Sequence, residues 1–208
     1  MKIGLAISGA SGLILGLKCL KILAELGHEI HLVVTKDACR AAVFELSKDF
    51  HHPRAFIEAL APEYQSKVSL YGPHDFCSPL ASGSCGIDKT LIVPCSMASL
   101  AAIACGISDN LLRRMADVAI KERKPLLIVP REAPFSAIHL QNMLRLSELG
   151  VTIFPPVPSW YVQAQTIDEM EDIMVMRILQ VLGIEAPIRP WMNEYQERIS
   201  LRQPIELE

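Results

Sequence analysis

An arginine and a glutamate stand side by side at Arg131 and Glu132, inside the run Pro130-Arg131-Glu132-Ala133-Pro134-Phe135-Ser136. A guanidinium can grip a phosphate with two hydrogen bonds while a neighbouring carboxyl moves a proton, so the pair suits a phosphate clamp beside a general acid/base. On an open surface the same dipeptide would be only an ion pair. A second stretch with chemical potential is Ser8-Gly9-Ala10-Ser11-Gly12. Its glycines allow a tight turn and close approach of the backbone, and Ser11 adds a hydroxyl beside unpaired helical amides. That suits a phosphate, or a plain strand-to-helix turn. Gly9, Gly12 and Gly16 lack the GxGxxG spacing, and Thr35-Lys36 stand where a dinucleotide site would place an acidic residue. Pro94-Cys95-Ser96-Met97-Ala98-Ser99 offers a further hydroxyl-rich helix start, with Ser96 serving as an N-cap or as an anion contact.

Three basic side chains fall at unusual positions. Over residues 110–123, Arg114 and Lys121 share a side with the stripe Leu111, Met115 and Val118. They either snorkel to water or serve an anion site or a subunit interface. Over residues 166–182, Arg177 sits among Met170, Ile173, Met174, Ile178 and Val181. An unpaired buried guanidinium is costly, so Arg177 is expected to meet an anion. The run FPPVPSWY at 154–161 is stiffened by its prolines, and its Trp160 and Tyr161 either wall an apolar pocket or pack a loop. None of the six histidines pairs with Cys, Asp or Glu at metal-ligand spacing, so no metal site is expected. The missing GxSxG elbow argues against a Ser-His-Asp hydrolase.

The elements that must position these residues alternate along the chain. Apolar runs at 2–8, 29–35, 91–94, 126–130 and 151–154 read as strands. Helical patterns occupy 12–26, 36–46, 53–60, 97–105, 110–123, 136–149 and 166–182. Continuous apolar strands alternating with amphipathic helices predict an α/β fold: a doubly wound parallel sheet, Rossmann-like, in a three-layer sandwich. Residues 1–183 are expected to form a single domain, and 184–208, with Pro187, Pro190 and Pro204, an irregular arm. In such sheets ligands sit outside the carboxyl ends of the strands, where the runs singled out above begin.

With 20 Lys+Arg against 23 Asp+Glu and a net charge of −3, the 208-residue chain has no general attraction for nucleic acid or an anionic membrane. Half its residues are hydrophobic, enough for a substantial core and against disorder. The uncharged stretch 90–108 is long enough to span a bilayer, but Pro94, Ser96, Ser99 and Gly106 divide it into strand, turn and helix. Six cysteines without a CxxC pair read as reduced thiols of a cytoplasmic protein, and the apolar run at 3–7 is too short for a signal peptide.

The blocks GASG at 9–12, PCSMASLAAIACGISDNLLRRMADVAIKERKPLLIVPREAPFSAIHLQNMLRLSELG at 94–150 and PPVPSWY at 155–161 resemble the flavin prenyltransferase (UbiX) family over nearly the whole chain. The resemblance implies a flavodoxin-like homo-oligomer, typically a dodecamer, that binds FMN between subunits. It implies transfer of a dimethylallyl group from dimethylallyl monophosphate to reduced FMN, at N5 and then C6. The prenylated FMN would serve a UbiD-type decarboxylase, and no metal is implied. By position, Gly9, Ala10, Ser11, Thr35, Ser96, Met97, Ala98, Ser99 and Arg131 would contact FMN. Tyr161 and Arg177 would hold the prenyl phosphate, with Lys121 and Arg114 near it across an interface and Trp191 contributed by the tail. Glu132 and Glu45, with Ser11, would assist proton movement and phosphate departure. Phe76 stands where some members of that family have Trp, and Ile14 where an aromatic is frequent, which would alter the walls of the prenyl pocket. The alternatives are an FMN-dependent cysteine decarboxylase of the same fold, disfavoured because PREAPFS replaces an Asn-bearing PxMN-type segment, and a non-catalytic FMN carrier.

Overall fold

The computed structural model describes residues 1–186, so Trp191 and nearly all of the expected arm lie outside the described residues. Six parallel strands form one sheet: β1 (Lys2–Ile7), β2 (Glu29–Val34), β3 (Val68–Tyr71), β4 (Lys89–Cys95), β5 (Leu126–Pro130) and β6 (Thr152–Ile153). Their order is β3-β2-β1-β4-β5-β6, with β1 in register from Lys2↔Glu29 to Ile7↔Val34 on one side and from Ile3↔Lys89 to Ala6↔Ile92 on the other. The chain reverses direction across the sheet between β1 and β4. A crevice for a ligand is expected outside their carboxyl ends.

Among the described residues the α-helices are α1 (Leu13–Glu25), α2 (Lys36–Glu45), α3 (Ala55–Glu58), α4 (Pro62–Gln65), α5 (Met97–Ala104), α6 (Leu111–Lys121), α7 (Ala137–Glu148) and α8 (Ile167–Val181). Alternate strand side chains point to opposite faces and so feed two cores. Ile3, Leu5, Ile7, Leu91 and Leu127 pack with α1, α2, α3 and α8. Ala6, Val33, Ile92 and Ile128 pack with α5, α6 and Leu146 of α7. Both cores are apolar because a parallel sheet is covered on both sides. At Gly16 of α1 an added Cβ would lie 2.5 Å from the carbonyl oxygen of Val93, so only glycine lets α1 press this closely onto β4.

The expected strands and helices are present with ends that differ by at most two residues, and the stretch 90–108 resolves into β4, a turn and α5. Among the described residues no helix is long and apolar enough to cross a membrane. Strand β3 was not anticipated. It is a four-residue edge strand with no fully buried side chain, so it carries neither the length nor the unbroken apolar run that marks β1 or β4.

Candidate functional site

At the reversal point the exits of β1, β4 and β5 are tied together. The buried Ser8 hydroxyl donates to the carbonyl of Pro94 at 3.0 Å and accepts from the Ser96 amide at 2.7 Å. The Arg131 amide donates to the carbonyl of Cys95 at 3.2 Å, and the Thr35 amide to that of Ile7 at 3.0 Å. The hydroxyls of Thr35 and Ser96 each cap the helix that follows, accepting from Ala38 and Ser99 amides at 3.2 Å. The other first-turn amides of α5 have no partner within the helix, and the buried Ser99 hydroxyl lies 3.1 Å from that of Ser96. Burial pushes the neighbouring Cys95 thiol up to about 12, which makes it a packing residue rather than a nucleophile.

The first exit differs from a bare phosphate cradle. Gly12 adopts φ 94° at the N-cap of α1, and no side chain of its own turn caps the helix. The carboxylate of Glu45, at the end of α2, reaches back instead and accepts from the amides of Gly12 at 2.9 Å and Leu13 at 3.0 Å. A negative charge at a helix N-terminus is favourable, so Glu45 has a definite structural task besides any part in chemistry. Gly9 is held close by α2, since a Cβ there would meet Asp37 at 2.5 Å. Ala10 is buried and Ser11 is exposed, which leaves the serine as the reachable side chain of the loop.

Ser11 opens onto a cleft of about 550 Å³ bounded by α1, α8 and the proline-rich stretch between β6 and α8. It is lined by Gly12, Ile14 and Leu15 at the start of α1, by Met170, Glu171 and Met174 of α8, by Pro156, Pro158 and Trp160, and by Arg131 at the β5 exit. Of the residues expected at the site, this cleft brings together Ser11 and Arg131. Ile14 stands in its wall, whereas Phe76 is half-exposed and lies outside it. Glu132 is in the exposed loop next to Arg131, with one carboxylate oxygen accepting from the Ala133 amide at 3.0 Å. That loop is closed by a capping box in which Ser136 and His139 bond each other's backbone amides, a role for His139 not foreseen from the sequence.

The anticipated phosphate-holding group is not assembled in the single chain. Arg177 does not sit in the apolar stripe of α8: it is exposed, and its Nη1 donates to Gln180 at 2.7 Å. The core-facing residues of α8 are Val175, Met176, Ile178 and Leu179, while Val181 is exposed. The expectation that Arg177 must pair because it is buried is therefore corrected. Arg114 is half-buried, bonding the Ala81 carbonyl at 3.1 Å and Asp117 at 2.6 Å, whereas Lys121 is exposed and pairs with Glu122. Tyr161 is 69% exposed and does not line the cleft, although the adjacent Trp160 does. Lys121, Tyr161 and Arg177 are thus exposed on the single chain, and Arg114 is engaged with Ala81 and Asp117 away from the cleft.

One polar cluster beside the cleft went unnoticed in the sequence. Lys18 of α1 bonds Asp168 at 2.6 Å and Asp172 at 2.9 Å, and lies 3.0 Å from Glu171. Burial by itself would lower the Lys18 ammonium, but hydrogen bonds to the three carboxylates outweigh it and raise the pKa. The acidic run Asp168-Glu169-Glu171-Asp172 was the available signal. Among the described residues, no group of three or more His, Cys, Asp or Glu side chains is placed to hold a metal ion.

The donor set fits a flavin mononucleotide. Hydroxyls at Ser11, Thr35, Ser96 and Ser99, free helix amides and the Arg131 guanidinium suit a ribityl phosphate. The apolar walls of the cleft suit a flat ring system. Ser11→Asp is expected to abolish retention of FMN with little change in melting temperature, because like charge would face the phosphate from an exposed position. FMN titration followed by flavin fluorescence, with undiminished affinity as the contrary result, checks it.

The flavoprotein family matches residues 1–182. The chain is 43% identical to "Flavin prenyltransferase UbiX" of Chlamydia trachomatis over 90% of its own length and 95% of that protein. It is 41% identical to the Pseudomonas aeruginosa protein of the same name, covering 93% and 94% of the two chains. Its fold is similar to that of AnUbiX (PadA1), solved in complex with FMN and dimethylallyl pyrophosphate, with a TM-score of 0.78, 38% identity and coverage of 88% and 93%. A dodecameric FMN-dependent UbiX-like decarboxylase from Escherichia coli O157:H7 gives a TM-score of 0.78 at 37% identity, covering 91% and 98%. A PPC decarboxylase mutant, at 22% identity and a TM-score of 0.59 over 86% and 98% of the two chains, shares the fold alone. With four-tenths of its residues identical over nine-tenths of its length, and with a flavin-compatible crevice at the reversal point of the sheet, this chain belongs to the flavin prenyltransferase family of flavoproteins.

Proposed function

We propose that this protein transfers a dimethylallyl group from dimethylallyl monophosphate to FMN in its reduced form, at N5 and then C6. The prenylated flavin would be released for a UbiD-type decarboxylase. The observation that carries the reading is the cleft in which Ser11 and Arg131 meet an apolar wall at the carboxyl edge of the sheet. Reduced FMN, when bound, supplies the nucleophilic ring positions. The chain's own residues do the rest. Ser11, Thr35, the Ser96–Ser99 turn and Arg131 bind and orient the cofactor, with Gly9 and Ala10 giving backbone access. Breaking the allylic C–O bond places negative charge on the departing phosphate, which cations stabilise. Arg177, Tyr161, Lys121 and Arg114 take that part, and Glu132, next to Arg131, relays a proton to or from the phosphate. Glu45 holds the Ser11-Gly12 turn through the two amides it accepts from. Ile14, Met170 and Met174 exclude water from the prenyl group.

Because the four phosphate-holding residues lie outside the cleft of a single chain, the reading requires neighbouring copies to complete the site. The exposed Phe135, Ile138, Leu140 and Leu144, in and just before α7, supply an apolar surface suited to burial against such a copy. A dodecamer is the expected assembly, built from single domains of residues 1–183 with the remaining residues as an arm. Light scattering coupled to size exclusion should show many subunits, and an active monomer would contradict the shared site. The cysteines, all free, fit a cytoplasmic setting. The activity is tested by phosphate release from dimethylallyl monophosphate: release dependent on reduced FMN is expected, and absence of release at saturating flavin overturns the reading.

A further inference from the structure

The two walls of the cleft belong to different helices at opposite ends of the chain, and one ammonium joins them. On α1, Ile14 and Leu15 line the cleft and Lys18 lies one turn further along. On α8, Met170, Glu171 and Met174 line it, interleaved with Asp168 and Asp172. Lys18 Nζ donates to the Asp168 carboxylate at 2.6 Å, to the Asp168 carbonyl at 3.1 Å and to Asp172 at 2.9 Å, with Glu171 at 3.0 Å. The side chain of Lys18 is 14% exposed, those of Asp172 and Glu171 10% and 20%. At this burial, removing the ammonium would leave Asp172 and Glu171 without its compensating charge, so the contacts tie the two helices together where they border the cleft. The arrangement also bears on charge. Glu171 puts a carboxylate in the wall of a cleft read as taking anionic ligands, and the ammonium beside it offsets that repulsion.

We propose that Lys18 is a positioning residue for the transferase site: by holding Asp168, Glu171 and Asp172 it sets the spacing of α1 and α8, and with it the width and charge of the cleft. It touches neither flavin nor donor in this account, and the proposal rests on the cleft being the ligand site assigned above. Lys18→Met keeps the length and apolar stem but removes the Lys18 bonds to α8, so only the apolar packing still joins the two helices and Glu171 loses the ammonium beside it. Lys18→Arg keeps a cation that can reach the same acceptors.

The test measures FMN affinity by fluorescence titration, and the affinity of oxidised, FMN-loaded protein for dimethylallyl monophosphate by calorimetry, where no turnover intervenes. Lys18→Met is expected to weaken donor binding by about tenfold, less than the ~100-fold that a 1 Å misplacement can cost at the reacting centre. Lys18→Arg should recover most of the loss. Asp168→Asn, altering the most exposed partner, should shift the same affinity in the same direction by a smaller factor, and it serves if Lys18→Met fails to fold. Donor affinity unchanged in folded Lys18→Met, or, where that variant is unfolded, unchanged in Asp168→Asn, overturns the proposal, as does a loss that Lys18→Arg does not restore. A wild-type protein that binds flavin and donor but transfers no prenyl group refutes the assigned reaction and leaves this binding test standing, so the two failures are distinguishable.

Discussion

Glu132→Gln should lower the rate of prenyl-flavin formation by about 10²–10⁴-fold, the usual contribution of a positioned proton-transfer group, while donor affinity stays within a small factor of wild type. The substitution preserves shape and most hydrogen-bonding capacity, including an oxygen able to accept from the Ala133 amide. What it removes is the ability to exchange a proton with phosphate. The separation of rate from binding is the informative part: a loss confined to the chemical step marks an interaction made in the transition state. Single-turnover kinetics on reduced, FMN-loaded protein would show it, and turnover at the wild-type rate would withdraw the role from Glu132.

Arg177→Ala should do the reverse. Loss of a charge-assisted hydrogen bond to the donor phosphate weakens donor binding by about 1.5–3 kcal/mol. Within one chain Arg177 is exposed and donates to the equally exposed Gln180, so truncation leaves no buried group unsatisfied and the fold should be unaffected. Donor titration by calorimetry with a parallel thermal melt separates the outcomes. Normal donor affinity in the variant would remove Arg177 from the phosphate site.

The main lines of the fold were legible because β1, β2, β4 and β5 are largely apolar runs alternating with helical patterns, with glycine- or hydroxyl-bearing exits after β1, β2 and β4 and the Arg131-Glu132 pair after β5, as expected of a covered parallel sheet. β3 was not, since an edge strand of four partly exposed residues resembles a loop. The ligand edge could be located from those exits, and Ser11 and Arg131 do meet there although 120 residues separate them in the numbering. Side-chain partnerships were harder. Periodicity placed Arg177 with Met174 and Val181, but the core side of α8 is turned toward Val175, Ile178 and Leu179. Asp172 points inward and accepts from Lys18. That contact spans 154 residues, and the Glu45 cap on α1 spans 33, distances over which no local pattern carries information.

Prenylation of a flavin in this cleft leaves a direct record in the flavin itself. The most direct measurement is the mass and absorption spectrum of the flavin recovered after anaerobic incubation of reduced, FMN-loaded protein with dimethylallyl monophosphate. A flavin heavier by one isoprenyl unit, with an altered spectrum, is the predicted result. Recovery of unmodified FMN, from protein that has been shown to bind both flavin and donor, would contradict the account.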